Sequence, residues 1–249
     1  MHTVNRRRVL FGIAAMMIPV AVVLTLRLGR PQLSHVYMKL TSEQSIWDVV
    51  ERYGPAARDR LAPSFEMARV SYPPDRLTLI ALKREKKLEV WAPKDETWSL
   101  IKSYPICMAS GDEGPKLKEG DLQVPEGVYP LTVLNPQSGF HLSIRIEYPN
   151  EYDNAMALRD NRIDLGGDIY LHGKCVSIGC LAMGDEAIEE LFILVHDVGL
   201  ENMEIIIAPA DLRDNSVNID TGHLPPWTNV LYDTLRTKLA PFGSADGLR

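Results

Sequence analysis

The chain has 249 residues, of which 45% are hydrophobic and 24% are charged. This composition is typical of a globular protein and excludes a disordered, collagen-like or multi-spanning membrane chain. The net charge of −6 argues against nucleic acid as a partner, because a nucleic-acid binder needs a basic surface. Three cysteines are too few for a disulfide-stapled scaffold.

The first 30 residues differ in charge from the rest of the chain. They contain five of the 27 basic residues and none of the 33 acidic ones, so residues 31–249 carry 22 basic and 33 acidic residues, a net charge of −11. Three arginines at positions 6–8 precede an apolar run over residues 9–26. This pattern is typical of a membrane anchor or an export signal, and the lack of small residues for cleavage favours an uncleaved inner-membrane anchor. The positive-inside rule then predicts that residues 31–249 lie in the bacterial periplasm.

Residues 31–75 are predicted to form a helical flank. Apolar side chains recur at helical spacing within residues 43–70. Gly54-Pro55 predicts an end to this helix, followed by a shorter helix over residues 56–62. Tyr72-Pro73-Pro74-Asp75 predicts a break and a domain boundary.

From residue 76 onward the hydrophobic period changes to that of strands. The predicted strands cover residues 76–83, 87–92, 98–109 (one strand or a pair), 128–134, 141–147, 168–172 and 203–208. Polar loops are predicted over residues 110–126 and 148–164, and helices over residues 185–198 and 227–239. The pattern predicts a mainly β body with helical flanks, in which residues 76–208 are the catalytic domain and residues 209–249 a C-terminal tail with a helix.

The stretch with the most chemical information runs from His172 to Cys180 and reads His-Gly-Lys-Cys-Val-Ser-Ile-Gly-Cys. It precedes a predicted helix, whose N-terminus would lower the pKa of the Cys180 thiol. A cysteine nucleophile needs a base, and His172 is close enough in sequence to reach Cys180 across the loop. The backbone N–H groups near Gly179 and Cys180 are candidates for an oxyanion hole.

The residues alone leave three other interpretations of these cysteines open. His172, Cys175 and Cys180 could bind zinc with a fourth ligand from the following helix, although their spacing matches no common zinc pattern. Cys175 and Cys180 could form a disulfide in an oxidising compartment, or both could be inert buried thiols. Cys107 is predicted to be a buried strand residue.

The same segment resembles the active-site signature of L,D-transpeptidase catalytic domains of the YkuD/ErfK type, in which His-Gly precedes Ser-His-Gly-Cys. His172-Gly173 and Ser177-Ile178-Gly179-Cys180 carry this resemblance. The compact spacing is similar to that of the YafK-like subgroup of this family. Four further motifs share the family's order along the chain: Gly114-Pro115-Lys116, Glu119-Gly120-Asp121, Pro125-Glu126-Gly127-Val128-Tyr129 and Tyr148-Pro149-Asn150-Glu151-Tyr152-Asp153.

The resemblance implies an L,D-transpeptidase-like β-sandwich with Cys180 as nucleophile and His172 as proton donor and acceptor. It further implies that Ser177 orients His172 or lines the oxyanion hole, and that Gly179 contributes its backbone to this hole. In the implied reaction, the sulfur of Cys180 attacks a carbonyl at meso-diaminopimelate in a peptidoglycan stem peptide and forms a thioester, without a metal or a cofactor. An amine resolves the thioester in a transpeptidase, and water resolves it in an amidase that releases a peptidoglycan-linked lipoprotein. A non-catalytic peptidoglycan-binding module is the remaining interpretation.

Two positions depart from the family pattern. Ile178 stands where the family has histidine, and Ala182 stands where it has an arginine that could bind a carboxylate. Gly173 and Lys174 are predicted to contact the substrate because they adjoin His172. Charge alone suggests the following basic residues for the missing carboxylate contact: Lys116, Lys118, Lys174 and Arg145.

Overall fold

The computed structural model describes residues 44–243. The expected anchor over residues 9–26, and residues 1–30 as a whole, lie outside the described residues. The chain from Gln44 onward forms one compact unit. Across residues 44–243, no helix combines the length and the apolar character needed to cross a membrane.

The helices and strands of the described range confirm a mainly β protein with helical flanks. The helices are α1 (Ile46–Ala68), α2 (Glu151–Arg159), α3 (Asp185–Val198) and α4 (Thr228–Leu239), with a short 3₁₀ turn over Leu200–Asn202. The strands are β1 (Leu77–Leu82), β2 (Lys87–Lys94), β3 (Thr97–Pro105), β4 (Met108–Ala109), β5 (Gly127–Asn135), β6 (Ser143–Ile146), β7 (Tyr170–His172), β8 (Leu181–Ala182) and β9 (Met203–Ala208).

These strands join in one continuous sheet with the order β3-β2-β1-β9-β5-β6-β7-β8-β4. β5 connects the two halves, because residues 127–130 pair with β9 and residues 131–135 pair with β6. The predicted hairpin of β1 and β2 is confirmed, with Leu82 opposite Lys87. Two neighbouring pairs are parallel, β1 with β9 and β7 with β8, and the second of these carries the candidate site.

The central strands are buried on both faces. In β1, Leu79 and Ala81 belong to one core while Ile80 and Leu82 belong to another, as the two-residue period of a strand requires. The first core fills the space between the sheet, α1 and α3. The second lies between the sheet and α4. The sheet that positions the site is therefore covered by helices on both sides.

The predicted end of the first helix at Gly54-Pro55 is wrong. α1 starts after a capping box formed by Ser45 and Asp48 and continues to Ala68, with Pro55 and Pro63 inside it. An internal proline removes a helical hydrogen bond and normally breaks the helix. Here one face of α1 is buried in the core and packs against α3, which offsets this cost.

The loop predicted over residues 148–164 is also wrong, because it contains α2. The helix begins at a reciprocal cap in which Asn150 Oδ1 accepts from the Asp153 N–H and Asp153 Oδ2 accepts from the Asn150 N–H, both at 3.0 Å. Only Asp153 and Ala157 are buried along its length. The apolar period was therefore too weak to indicate a helix, and the Asn-x-x-Asp cap was the signal available.

Candidate active site

His172 and Cys180 lie at the two ends of one loop between neighbouring parallel strands. β7 ends at His172, and β8 starts at Leu181, directly after Cys180. The register places His172 opposite Ala182. The loop over residues 173–180 leads from the end of β7 to the start of β8, which is the neighbouring strand. The imidazole of His172 and the thiol of Cys180 therefore line the same cleft.

This cleft has a volume of about 470 Å³ and is lined by residues from three segments. Asn135 to Phe140 supply one wall, Asp168 and Tyr170 another, and the 173–180 loop the third. The rim is apolar, because three large hydrophobic side chains of the lining are exposed: Phe140 (45%), Val176 (51%) and Ile178 (79%).

The environment of His172 keeps its imidazole neutral. The Nδ1 atom lies 2.6 Å from the carbonyl oxygen of Gly173, which can only accept, so Nδ1 carries the proton and Nε2 has the free lone pair. The ring of Phe140 lies 4.7 Å from the imidazole, centroid to centroid. Burial lowers the pKa of His172, and the hydrogen bond to Gly173 only partly opposes this. The neutral form is the one that can accept a proton.

Cys180 is a free thiol, half-buried in the cleft. Its Sγ–H donates to the carbonyl oxygen of Asp168 at 3.6 Å. Burial raises the pKa of the Cys180 thiol above its usual range. The Tyr170 backbone N–H and the charge of Lys116 oppose this shift, while the Asp168 carboxylate adds to it. Among the described side-chain hydrogen bonds, the partner of the thiol is the Asp168 carbonyl, and none joins the thiol to His172.

The prediction that a helix N-terminus lowers the pKa of Cys180 is wrong. Two residues of strand β8, Leu181 and Ala182, follow Cys180 directly. Helix α3 begins only at Asp185, with Gly184 as its N-cap. The effect of a helix dipole falls off within the first turn, so it does not reach the thiol.

Ser177 bonds to the backbone around Cys180, and no described contact joins it to His172, which corrects the prediction that it orients this histidine. Its Oγ donates to the carbonyl of Cys180 at 2.7 Å and accepts from the backbone N–H groups of Gly179 and Cys180 at 3.3 and 3.2 Å. It also lies 3.1 Å from the hydroxyl of Ser110. The two amides predicted for the oxyanion hole are thus bonded to Ser177, and Gly179 itself is buried with a φ of +129°.

Gly173 and Lys174 attach the loop to its neighbours. A Cβ at Gly173 would lie 2.6 Å from the carbonyl oxygen of Phe140 and 2.7 Å from Asp185 Oδ1, so only glycine fits. Lys174 donates its backbone N–H to Asp185 at 2.7 Å and its ammonium to the carbonyl of Gly139 at 3.0 Å. Gly173 is therefore a packing residue, and substrate binding by Lys174 stays a prediction.

Lys116 is not a free cation of the cleft, contrary to its predicted role in binding a carboxylate. It is only 5% exposed, and its ammonium contacts Asp121 Oδ1 at 2.6 Å and the carbonyl of Lys118 at 2.9 Å. Both partners come from a turn within the same polar loop, and the sequence pattern did not predict this turn. The guanidinium of Arg145 lies 3.7 Å from the carboxylate of Asp168, a residue of the cleft lining.

A disulfide joins Cys107 to Cys175, with the two Cα atoms 5.4 Å apart. The predicted alternative of a bond between Cys175 and Cys180 is therefore wrong, and Cys175 leaves the candidate zinc set. Cys107 is exposed and lies in the bend before β4, which corrects the prediction of a buried strand residue. The partners are 68 residues apart, so the pairing depends on the fold and not on local spacing.

Part of the chain is similar in sequence to known proteins. A family model, the YkuD L,D-transpeptidase catalytic domain, matches residues 77–207. The chain is 36% identical over 137 residues to proteins named "Putative L,D-transpeptidase YafK" from Escherichia coli strains K12 and O157:H7, covering 53% of each chain. It thus spans about half the length of the curated relatives it matches.

Two solved structures are similar in fold. The helical cell shape determining protein Pgp2 of Campylobacter jejuni aligns with a TM-score of 0.47 and 22% identity over 55% of this chain and 48% of Pgp2. Bd1075 of Bdellovibrio bacteriovorus aligns with a TM-score of 0.40 and 24% identity over 67% of this chain and 55% of Bd1075. On the family match over more than half of its length, the chain belongs to the family of YkuD L,D-transpeptidase catalytic domains.

Proposed function

We propose that the protein is a cysteine acyl-transfer enzyme that acts on peptidoglycan stem peptides at meso-diaminopimelate, with Cys180 as nucleophile and His172 as base. The observation that carries the proposal is the free thiol of Cys180 in the same cleft as a neutral imidazole whose Nε2 lone pair is available. The substrate class rests on family membership.

The reaction starts from two neutral groups. When a substrate carbonyl enters the cleft, His172 Nε2 accepts the proton of the Cys180 thiol as the sulfur attacks the carbonyl carbon. The C–N bond then breaks, His172 returns the proton to the departing amine, and a thioester remains on Cys180. An amine acceptor attacks the thioester in a transpeptidase, and water attacks it in a hydrolase.

The negative charge on the attacked carbonyl oxygen needs donors close to Cys180. The N–H groups of Gly179 and Cys180 lie beside the sulfur, but both now donate to Ser177 Oγ at 3.2–3.3 Å. These bonds are long for N–H···O contacts. The proposal is that the oxyanion replaces the Ser177 hydroxyl as their acceptor.

The location belongs to the same proposal. A peptidoglycan enzyme works outside the cytoplasmic membrane, and two features support this place. The basic and apolar residues 1–30 have the pattern of an export or anchor segment. The disulfide between Cys107 and Cys175 is typical of an oxidising compartment.

The test is to incubate the full chain with purified sacculi and to analyse the released and cross-linked muropeptides by mass spectrometry. We expect Cys180→Ala to lower turnover by roughly 1000-fold or more, because it removes the nucleophile and leaves the cleft intact. New cross-links would identify a transpeptidase, whereas trimmed stem peptides or released peptidoglycan-bound protein would identify a hydrolase.

Ser103→Ala serves as the control, because Ser103 is an exposed residue of β3 that lies outside the cleft lining and leaves all three cysteines in place. Unchanged turnover in Cys180→Ala would contradict the mechanism. An unchanged muropeptide profile after incubation with the wild-type chain would contradict the substrate class.

A further inference from the structure

The loop that carries the nucleophile is attached from outside by residues 107–110. β4, formed by Met108 and Ala109, is the last strand of the sheet and pairs only with β8. The N–H of Cys107 donates to the carbonyl of Ala182 at 2.8 Å. The disulfide adds the one covalent link, from Cys107 to Cys175 in the middle of the loop.

The attachment extends to the reacting sulfur through hydroxyl groups. Ser110 contacts Ser177 Oγ through its own hydroxyl at 3.1 Å and its backbone N–H at 3.4 Å. Ser177 Oγ in turn bonds to the carbonyl and N–H of Cys180 and to the N–H of Gly179. A shift of residues 107–110 would therefore change the position of Cys180.

The outer part of the loop has few other attachments beyond the hydrogen bonds of Lys174 to Asp185 and Gly139. Three residues that follow Lys174 are exposed: Cys175, Val176 and Ile178. Burial therefore contributes little to fixing this stretch, and β4 contributes only two register pairs. The disulfide to Cys107 is the restraint that acts directly on Cys175.

The two kinds of cysteine differ in access. Cys107 and Cys175 are both exposed residues, whereas Cys180 is partly buried in the cleft. A soluble dithiol can reach the disulfide, and exchange transfers two electrons and two protons. The S–S bond breaks, Cys107 and Cys175 become thiols, and the dithiol closes to its own disulfide.

We propose that Cys107 and Cys175 are positioning residues of the active site, and that acyl transfer requires this disulfide to be oxidised while Cys180 is reduced. The part of the proposal that concerns turnover rests on the proposed function. The part that concerns the environment of the Cys180 thiol does not. A reductant, which normally protects a cysteine enzyme, is then an inhibitor of this one.

The experiment compares the oxidised full chain, the same chain after dithiothreitol and desalting, the reoxidised chain and the variant Cys107→Ser/Cys175→Ser. Two measurements are made on each form: kcat and KM with soluble muropeptides, and the pH dependence of Cys180 alkylation by iodoacetamide, followed by peptide mass spectrometry. Thermal unfolding by circular dichroism is recorded in parallel.

We expect reduction to lower kcat by about tenfold or more and to change KM by less than about threefold, because the sulfur is misplaced while the rest of the cleft remains. The alkylation profile of Cys180 should move toward lower pH as its buried environment opens. Reoxidation should restore both. The double variant should match the reduced chain and should not respond to dithiothreitol.

Three results would overturn the proposal. The reduced chain and the double variant could keep the kcat and alkylation profile of the oxidised chain. Activity could fall only together with the cooperative unfolding transition, which would make the disulfide merely structural. The reduced chain could also fail to recover on reoxidation. If the double variant does not fold, the reversible reduction of the wild type decides. If no form acts on muropeptides, the proposed function has failed, and the alkylation profile still decides this proposal.

Discussion

Cys180 and His172 are both uncharged in the resting protein at neutral pH. Burial raises the pKa of the thiol and lowers that of the imidazole, which is the opposite of what a thiolate–imidazolium pair requires. The thiol donates to Asp168, and the imidazole donates to Gly173. The pair therefore fits general-base activation at the moment of attack and not a preformed ion pair.

Alkylation of Cys180 tests this electrostatic state directly. We expect its rate with iodoacetamide to be low at pH 7 and to keep rising beyond the range in which an ordinary cysteine ionises, because the buried thiolate is disfavoured. The measurement is the rate of single alkylation in the oxidised chain between pH 6 and 10. A rate that is already maximal near or below neutral pH would indicate an ion pair with His172 and would contradict this reasoning.

The signature of the loop was enough to predict that His172 and Cys180 lie in one cleft, because they stand close together at the two ends of a short loop. It was not enough for Lys116, Ser177 and Cys175. Lys116 forms an ion pair with Asp121, and Ser177 forms a hydrogen bond to the Cys180 backbone. Cys175 forms a disulfide with Cys107. Each of these roles is decided by a neighbour that only the folded chain supplies.

At the scale of elements, β7 positions His172, and the glycines on either side of this strand have different surroundings. Gly173, directly after β7, lies against the carbonyl of Phe140 and the side chain of Asp185. Gly167, shortly before β7, has only ordinary contacts, since the nearest atom to an added Cβ is the carbonyl oxygen of Tyr148 at 3.9 Å. The two positions make a matched pair for substitution.

We expect Gly173→Ala to lower the free energy of unfolding by about 1–3 kcal/mol, because the added methyl group overlaps a backbone oxygen. It should also lower kcat by roughly tenfold or more, since Phe140 borders His172 and must move. Gly167→Ala should change the free energy of unfolding by less than about 0.5 kcal/mol. Urea unfolding and muropeptide turnover measure both effects, and equal results for the two variants would refute the steric argument.

The strands and the later helices were predictable because their hydrophobic periods are strong and their ends carry turn residues. The two errors have different causes, which are tertiary packing that outweighs local preference in α1 and a local cap in α2. α1 crosses Pro55 and Pro63 because its buried face packs against α3. α2 forms on a reciprocal cap between Asn150 and Asp153, with almost no apolar face of its own.

At the scale of the whole molecule, the cap of α2 connects to the body of the protein through a buried carboxyl group. Asp153 is 8% exposed and accepts a hydrogen bond from Tyr129 at 3.4 Å, next to the sheet. Burial raises the pKa of Asp153 to about 6, although its hydrogen bonds oppose the shift. The unfolding of the compact unit is therefore coupled to the protonation of this one group.

The sign of this coupling follows from the raised pKa. The folded protein binds the proton more tightly than the unfolded chain, whose aspartate has the ordinary pKa of 3.8. The stabilising contribution of the proton is complete below pH 3.8 and is lost as the pH rises through about 6. The loss of this contribution between pH 5 and 7 should lower the free energy of unfolding by about 1 kcal/mol.

Asp153→Asn keeps a neutral side chain of the same shape and should not show this loss. Urea unfolding of the wild type and the variant at several pH values between 5 and 7 gives the difference between them, in which the other titrating groups cancel. That difference should change by about 1 kcal/mol in favour of the variant as the pH rises. Parallel curves would mean that Asp153 is already ionised in the folded protein over this whole range, because its hydrogen bonds outweigh its burial.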